Sequence, residues 1–129
     1  LRSMEVEPIT SVDTYGFDGN GKNISFTRPE REEIDQAIQK ARLTGMCVNT
    51  VHEVQGGTFP HVYLYRLRKY DNPIYENINQ FVVSISRHTK CLRYRVITDK
   101  MFDKIGERVS AINSVQDYVI KEHMFKQHV

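Results

Sequence analysis

Several features are scarce or missing in this sequence, and each absence closes a class of function. No run of 18 or more apolar residues occurs, so no segment reads as a membrane-spanning helix. Cysteine is limited to Cys47 and Cys91, with no C-x-x-C pair. The histidines at 52, 61, 88, 123 and 128 show no zinc-ligand spacing. Metal-ribbon and disulfide-framework readings therefore fall, and two buried free thiols in a reducing compartment are expected. Charge of one sign is also lacking. A net +2 over 129 residues makes no case for nucleic acid in bulk, so any such case must come from local clustering. Repeats, low-complexity tracts and an interdomain linker are absent, which leaves one domain with one core. The opening Leu1-Arg2-Ser3-Met4 carries no charged-then-apolar leader. The expectation is no signal peptide and a piece of a longer chain.

The elements that are present alternate. Residues 1–22 read as polar and irregular, with one short extended candidate at Met4–Ile9. Asn23–Thr27 reads as a strand. Thr27-Arg-Pro-Glu30 then fits a capping box with Pro29 in the first turn. Ile34, Ala37, Ile38 and Ala41 recur at helical spacing, and Gly45 is the expected stop. Met46–Val51 and His61–Leu67 read as strands. Ile74, Ile78, Phe81 and Ile85 mark one face of a helix. Cys91–Ile97 alternates as a strand, and Phe102, Ile105, Val109 and Ile112 mark a C-terminal helix, continuing toward Tyr118. This order predicts an α/β layer fold with a mainly parallel sheet flanked by helices. Ligands gather at the carboxyl ends of such strands, which points to the loops after Thr27, Val51 and Ile85-Ser86.

Three stretches bear on chemistry. Gly16-Phe-Asp-Gly-Asn-Gly21-Lys22-Asn23 completes G-x-x-x-x-G-K, but Asn23 stands where a hydroxyl should ligate magnesium. A strand follows rather than a helix, so the stretch reads as a turn feeding that strand. "TVHEVQGGTF", residues 50–59, sets Glu53 and Gln55 before a Gly pair at a strand end. Paired glycines let backbone N–H groups approach a phosphate, and they are equally ordinary turn punctuation. "VVSISRHTK", residues 82–90, ends a helix on Arg87. An arginine there reads either as a finger on a transferring phosphoryl group or as a basic helix end favoured by the dipole. Lys90, Arg93 and Arg95 with Tyr94 extend a basic and aromatic run, which suits a single-stranded nucleic-acid groove or a half-exposed strand.

Taken together, "TVHEVQGGTF" and then "VVSISRHTKCLRY" resemble motifs V and VI of the superfamily 1 helicases of alpha-like positive-strand RNA viruses, most of all the tobamovirus-like plant replicases. "ISFTRPEREEI" looks like motif IV. Ser84-Ile85 departs from the usual Ala-Leu, and Gly57 stands where relatives vary. The resemblance covers roughly residues 20–100. It implies a second RecA-like domain at 23–120, with an irregular segment at 1–22 before it and a frayed tail at 121–129. It implies that Arg87 is the finger on the γ-phosphate of ATP, that Gln55 and Gly56 sense that phosphate, that Gly57 lies with them at the nucleotide, and that Glu53 assists in the same network. Arg28 and Lys90 would lie near the nucleotide, and Thr50, His52 and Thr58 would face RNA. No metal ligand is implied here. The phosphate loop and the magnesium-binding Asp-Glu pair belong to the first RecA-like domain, so ATP with Mg2+ would be held mainly there, and this fragment alone is expected to be inactive. Implied partners are single-stranded RNA, the first RecA-like domain, and methyltransferase and polymerase regions of the same polyprotein, in the host cytoplasm at membrane-associated replication complexes. Two alternatives stay open: the helicase of a plant-virus movement protein, and a non-catalytic RNA or protein interaction module.

Overall fold

A computed structural model describes residues 3–12, 21–43, 45–54 and 57–113. Five strands form one sheet in the order β1-β5-β4-β2-β3, and every neighbouring pair is parallel. They are β1 Ser3–Ile9, β2 Gly21–Ser25, β3 Val48–Thr50, β4 Phe59–Arg66 and β5 His88–Ile97. The helices are α1 Arg28–Lys40, α2 Pro73–Glu76, α3 Ile78–Ile85 and α4 Lys104–Asn113. On one face, Ile34 and Ile38 of α1 pack on Tyr63, Tyr65 and Val48. On the other, Tyr75, Phe81, Val82 and Ile85 of α2 and α3, with Ile105, Val109 and Ile112 of α4, cover Met4, Ile24, Val62, Leu64, Leu92 and Tyr94. Parallel strands buried on both sides are near-continuously apolar, as β4 is from Val62 to Tyr65.

Local chemistry sets the boundaries. The capping box forms: Thr27 Oγ1 accepts from Glu30 N–H at 3.4 Å, and Glu30 Oε1 accepts from Thr27 N–H at 3.2 Å. The stop of α1 is not Gly45. Arg42 takes the left-handed conformation, φ 56°. Arg42 N–H donates to Gln39 O at 3.0 Å and Leu43 N–H to Ile38 O at 3.2 Å, a Schellman closure. Gly45, φ 80°, lies beyond it. The helix expected over 74–85 is two helices. Asn77 is extended, and its Oδ1 accepts from Gln80 N–H at 3.0 Å, so a competing local cap divides the run.

Other expectations are corrected. The extended candidate at Met4–Ile9 forms as β1, which pairs in register with β5 from Ser3↔Cys91 to Ile9↔Ile97, and Gly21 and Lys22 belong to β2, so the irregular reading of 1–22 does not hold at those positions. The loop after Ile85-Ser86 is at the amino end of β5, not at a strand's carboxyl end. Phe102 is 81% exposed; it precedes α4, whose amino end is closed by Asp103 Oδ1 accepting from Gly106 N–H at 2.7 Å. Cys47 is exposed and Cys91 half-buried, rather than both being buried. Tyr118 and the tail at 121–129 lie outside the described residues.

Candidate functional site

The segment from Thr50 to Phe59 runs from the carboxyl end of β3 to the amino end of β4. Thr50 is level with Ser25 of β2, whose other neighbour in β4 is Tyr65. β4 begins at Phe59, at the opposite end of the sheet from Tyr65. Buried Val51 and Val54 anchor this return on the α3 side of the core. A short 3₁₀ turn, His52–Val54, starts it. Thr50 and Glu53 close this turn reciprocally. Thr50 N–H donates to Glu53 Oε1 at 2.8 Å, and Glu53 N–H donates to Thr50 Oγ1 at 3.3 Å. The other oxygen of Glu53 pairs with Arg31 of α1 at 2.7 Å. The Thr50 N–H is the largest cause holding the Glu53 carboxyl below the usual range, and Arg31 adds to it. Thr50 is buried, while His52 and Glu53 are exposed. Arg28, also exposed, opens α1 at the carboxyl end of the adjacent strand β2.

Arg87 stands at the amino end of β5. Its Nε donates to Val83 O at 3.2 Å and to Ser86 Oγ at 3.3 Å. Its two terminal nitrogens donate to Val54 O at 3.3 Å and to Ser86 Oγ at 2.9 Å. A guanidinium has five N–H donors, so two of them stay uncommitted among the described residues, and the side chain is half-buried. A fixed arginine with free donors fits a phosphate oxygen. Val54 O also accepts from Gly57 N–H at 3.2 Å, and Phe59 N–H donates to Arg87 O at 2.7 Å. Arg87, Gly57, Thr58 and Phe59 thus gather at the amino edge of the sheet. Lys90 is exposed on β5. Gln55 and Gly56 lie outside the described residues. Among the described residues no group of three or more His, Cys, Asp or Glu converges.

The basic run of β5 does not form a free groove. Glu5 and Glu7 of β1 are in register with Arg93 and Arg95. Arg93 pairs with Glu5 at 2.9 Å and Arg95 with Glu7 at 3.0 Å. Arg95 is buried and also donates to Tyr65 OH at 3.0 Å. Alternating Glu5-x-Glu7 against Arg93-x-Arg95 is the signal that pairs them.

The Gly21-Lys22-Asn23 end of the G-x-x-x-x-G-K stretch lies within β2; positions 16–20, where the turn is expected, lie outside the described residues. Gly21 is required by a neighbour, since a Cβ there would collide with the Tyr63 ring. Lys22 donates to Asn49 Oδ1 and sits 5.6 Å over the Phe59 ring. It therefore serves the sheet itself.

Two residues of this region carry more than sequence reasoning assigns them. Glu30 is fully buried. Beyond capping α1, it accepts from Leu67 N–H and Tyr75 OH, each at 2.7 Å. Arg31 is the partner of Glu53. A separate pocket of about 250 Å³, with Arg66, Tyr75, Phe102 and Asp103 among its walls, opens at the carboxyl ends of β4 and β5 and includes none of the expected site residues.

An all-parallel sheet with helices on both faces and loops of this kind at its two ends defines a three-layer α/β domain of RecA-like class. The sequence profile of the viral superfamily 1 RNA helicase core domain matches residues 3–96, and the chain belongs to that family. It is 36% identical over 127 residues to replicase polyprotein 1a of Lettuce infectious yellows virus, covering 98% of this chain and 7% of that protein. It is 31% identical over 110 residues to replicase protein 1a of Grapevine leafroll-associated virus 3, covering 85% of this chain and 5% of that protein. It is 32% identical over 126 residues to the replicase large subunit of Soil-borne wheat mosaic virus, covering 88% and 7%. The chain therefore spans less than a tenth of these relatives' length. No described helix is long and apolar enough to cross a membrane.

Proposed function

We propose that this chain is the C-terminal RecA-like domain of a viral replicase helicase and that it completes, from the far side, an ATP site held mainly by a first RecA-like domain. Arg87 serves as the arginine finger. The observation that carries this reading is its guanidinium, fixed by Ser86, Val83 O and Val54 O with two donors left over among the described residues. Bound ATP with Mg2+ supplies the phosphoryl group. The chain's own part is to present fixed positive charge where negative charge builds up. Gln55, Gly56 and Gly57 face the same phosphate, and Lys90 lies near it. Glu53 acts by shaping the loop, since both its oxygens are engaged within the domain. Thr50 and His52, at the opposite end of the sheet, face single-stranded RNA, and Thr58 joins from the loop; Arg28, expected near the nucleotide, opens α1 at that same far end from Arg87 and is therefore assigned to RNA here. The intact protein works beside methyltransferase and polymerase regions, in host cytoplasm at membrane-associated replication complexes. Replicase names among the relatives favour this over a movement-protein helicase.

In the intact helicase, Arg87→Ala lowers ATP turnover by about 10³-fold or more, the usual worth of an arginine finger. Steady-state kinetics with the variant at matched folding stability checks it. Turnover near that of the parent overturns the assignment.

A further inference from the structure

Glu30 and Arg31 are neighbours in the first turn of α1 and reach in different directions. The Glu30 carboxylate is inside, holding Thr27 N–H and Oγ1, Leu67 N–H and Tyr75 OH. This bolts the first turn of α1 to the connection after β4. Arg31 reaches instead to Glu53, in the connection after β3. One helical turn therefore joins the loops that follow β2, β3 and β4. Both oxygens of Glu53 are engaged: one holds the Thr50 amide, the other Arg31. The next carbonyl along the chain, Val54 O, receives the Arg87 guanidinium.

We propose that Arg31 and Glu53 are a positioning pair. They set Thr50 and His52 against Arg28 at one end of the sheet, and through Val54 they steady Arg87 at the other. Neither side chain needs to touch RNA or nucleotide. The side chains are 26% and 35% exposed, so an isolated surface pair of this kind would contribute little. This pair differs because its arginine is mounted on a turn already immobilised by buried Glu30 and its carboxylate closes a backbone turn. The RNA part of the proposal rests on the functional reading above.

The test uses the intact helicase with Arg31→Ala, Glu53→Ala and the double variant. Three quantities are read: affinity for single-stranded RNA at fixed salt, ATP turnover, and hydrogen exchange of the Thr50 amide. Each single change weakens RNA binding by about 10-fold, lowers turnover and speeds Thr50 exchange, and the double variant stays within about 3-fold of Glu53→Ala alone, the non-additivity that contacting residues show. Tighter RNA binding by Glu53→Ala overturns the proposal, because it means the carboxylate only repels phosphates. Losses that multiply in the double variant also overturn it. If the parent binds no single-stranded RNA, the functional reading fails while the exchange measurement still decides the pair. Faster exchange in both singles with no further gain in the double variant upholds it, and unchanged exchange overturns it.

Discussion

Arg42 is a side chain in a place glycine would take at no steric cost. At φ 56° its Cβ crowds the following carbonyl, at about 1–2 kcal/mol for an L-residue, and the Schellman bonds of α1 hold it there. Arg42→Gly relieves that strain but loosens the unfolded chain. The net gain expected is about 0.5–1 kcal/mol, raising the melting temperature by about 2–4 °C for a domain of this size. Calorimetry checks it, and an unchanged or lower melting temperature is the contrary result. Nothing in the residue types around position 42 announces this role, because Arg carries no left-handed signal while Gly45 does. The same limit applies to Glu30. Its capping partner Thr27 is three positions away and legible at sight, whereas Leu67 and Tyr75 become its neighbours only when β4 and α2 fold against α1.

At the scale of elements, the first turn of α1 is where three loops meet, and its buried carboxylate is the most exacting part of that junction. Glu30→Ala leaves the Leu67 N–H and the Tyr75 hydroxyl without their acceptor, both in buried residues. Each such group costs about 1–3 kcal/mol, so a loss of about 3 kcal/mol or more is expected in chemical denaturation, against a much smaller one for exposed Glu32→Ala. Equal effects of the two substitutions contradict the hub. The elements themselves are largely readable from pattern: all five strands and the α1 cap follow from alternation, apolar spacing and turn residues. The division at Asn77 is not, because apolar residues in steps of four, three and four continue across it, and only the capping geometry of one amide shows the break. The end of the sheet on which Arg87 falls follows once residues 78–85 are read as helix, because a residue between a helix and the next strand sits at that strand's amino end.

Across the whole molecule, Tyr65, Tyr75 and Tyr94 are sealed between sheet and helices. Burial pushes Tyr65 up to about 12, against the lowering pull of Arg95. Burial raises Tyr75 and Tyr94 as well, helped by Glu30 and Asp103 respectively. The unfolded chain ionises its tyrosines near 10, so it releases these protons first. Their contribution to stability is complete below about pH 10 and fades as pH rises toward 12. The denaturant midpoint should therefore stay level up to about pH 9 and fall above 10, less steeply in Tyr65→Phe. Full phenolate absorbance near pH 10 in the still-folded protein contradicts this. The alternation of strands and helices makes the parallel sheet legible from sequence, but the neutralised ladder of Arg93 and Arg95 is not, because Glu5 and Glu7 come from the far end of the chain.

The edge strand β1 pairs with β5 alone, the first strand among the described residues with the last. At about 5–20 residues per second of synthesis, roughly 80 residues separate the two, so β1 leaves the ribosome on the order of 4–16 s before its partner exists. Pairing across so long a loop is also the slow kind. During synthesis of the chain, β2, β3, β4 and α1 have all their mutual contacts available early. The Glu5 and Glu7 carboxylates meanwhile keep the waiting strand charged, which discourages pairing with the wrong edge.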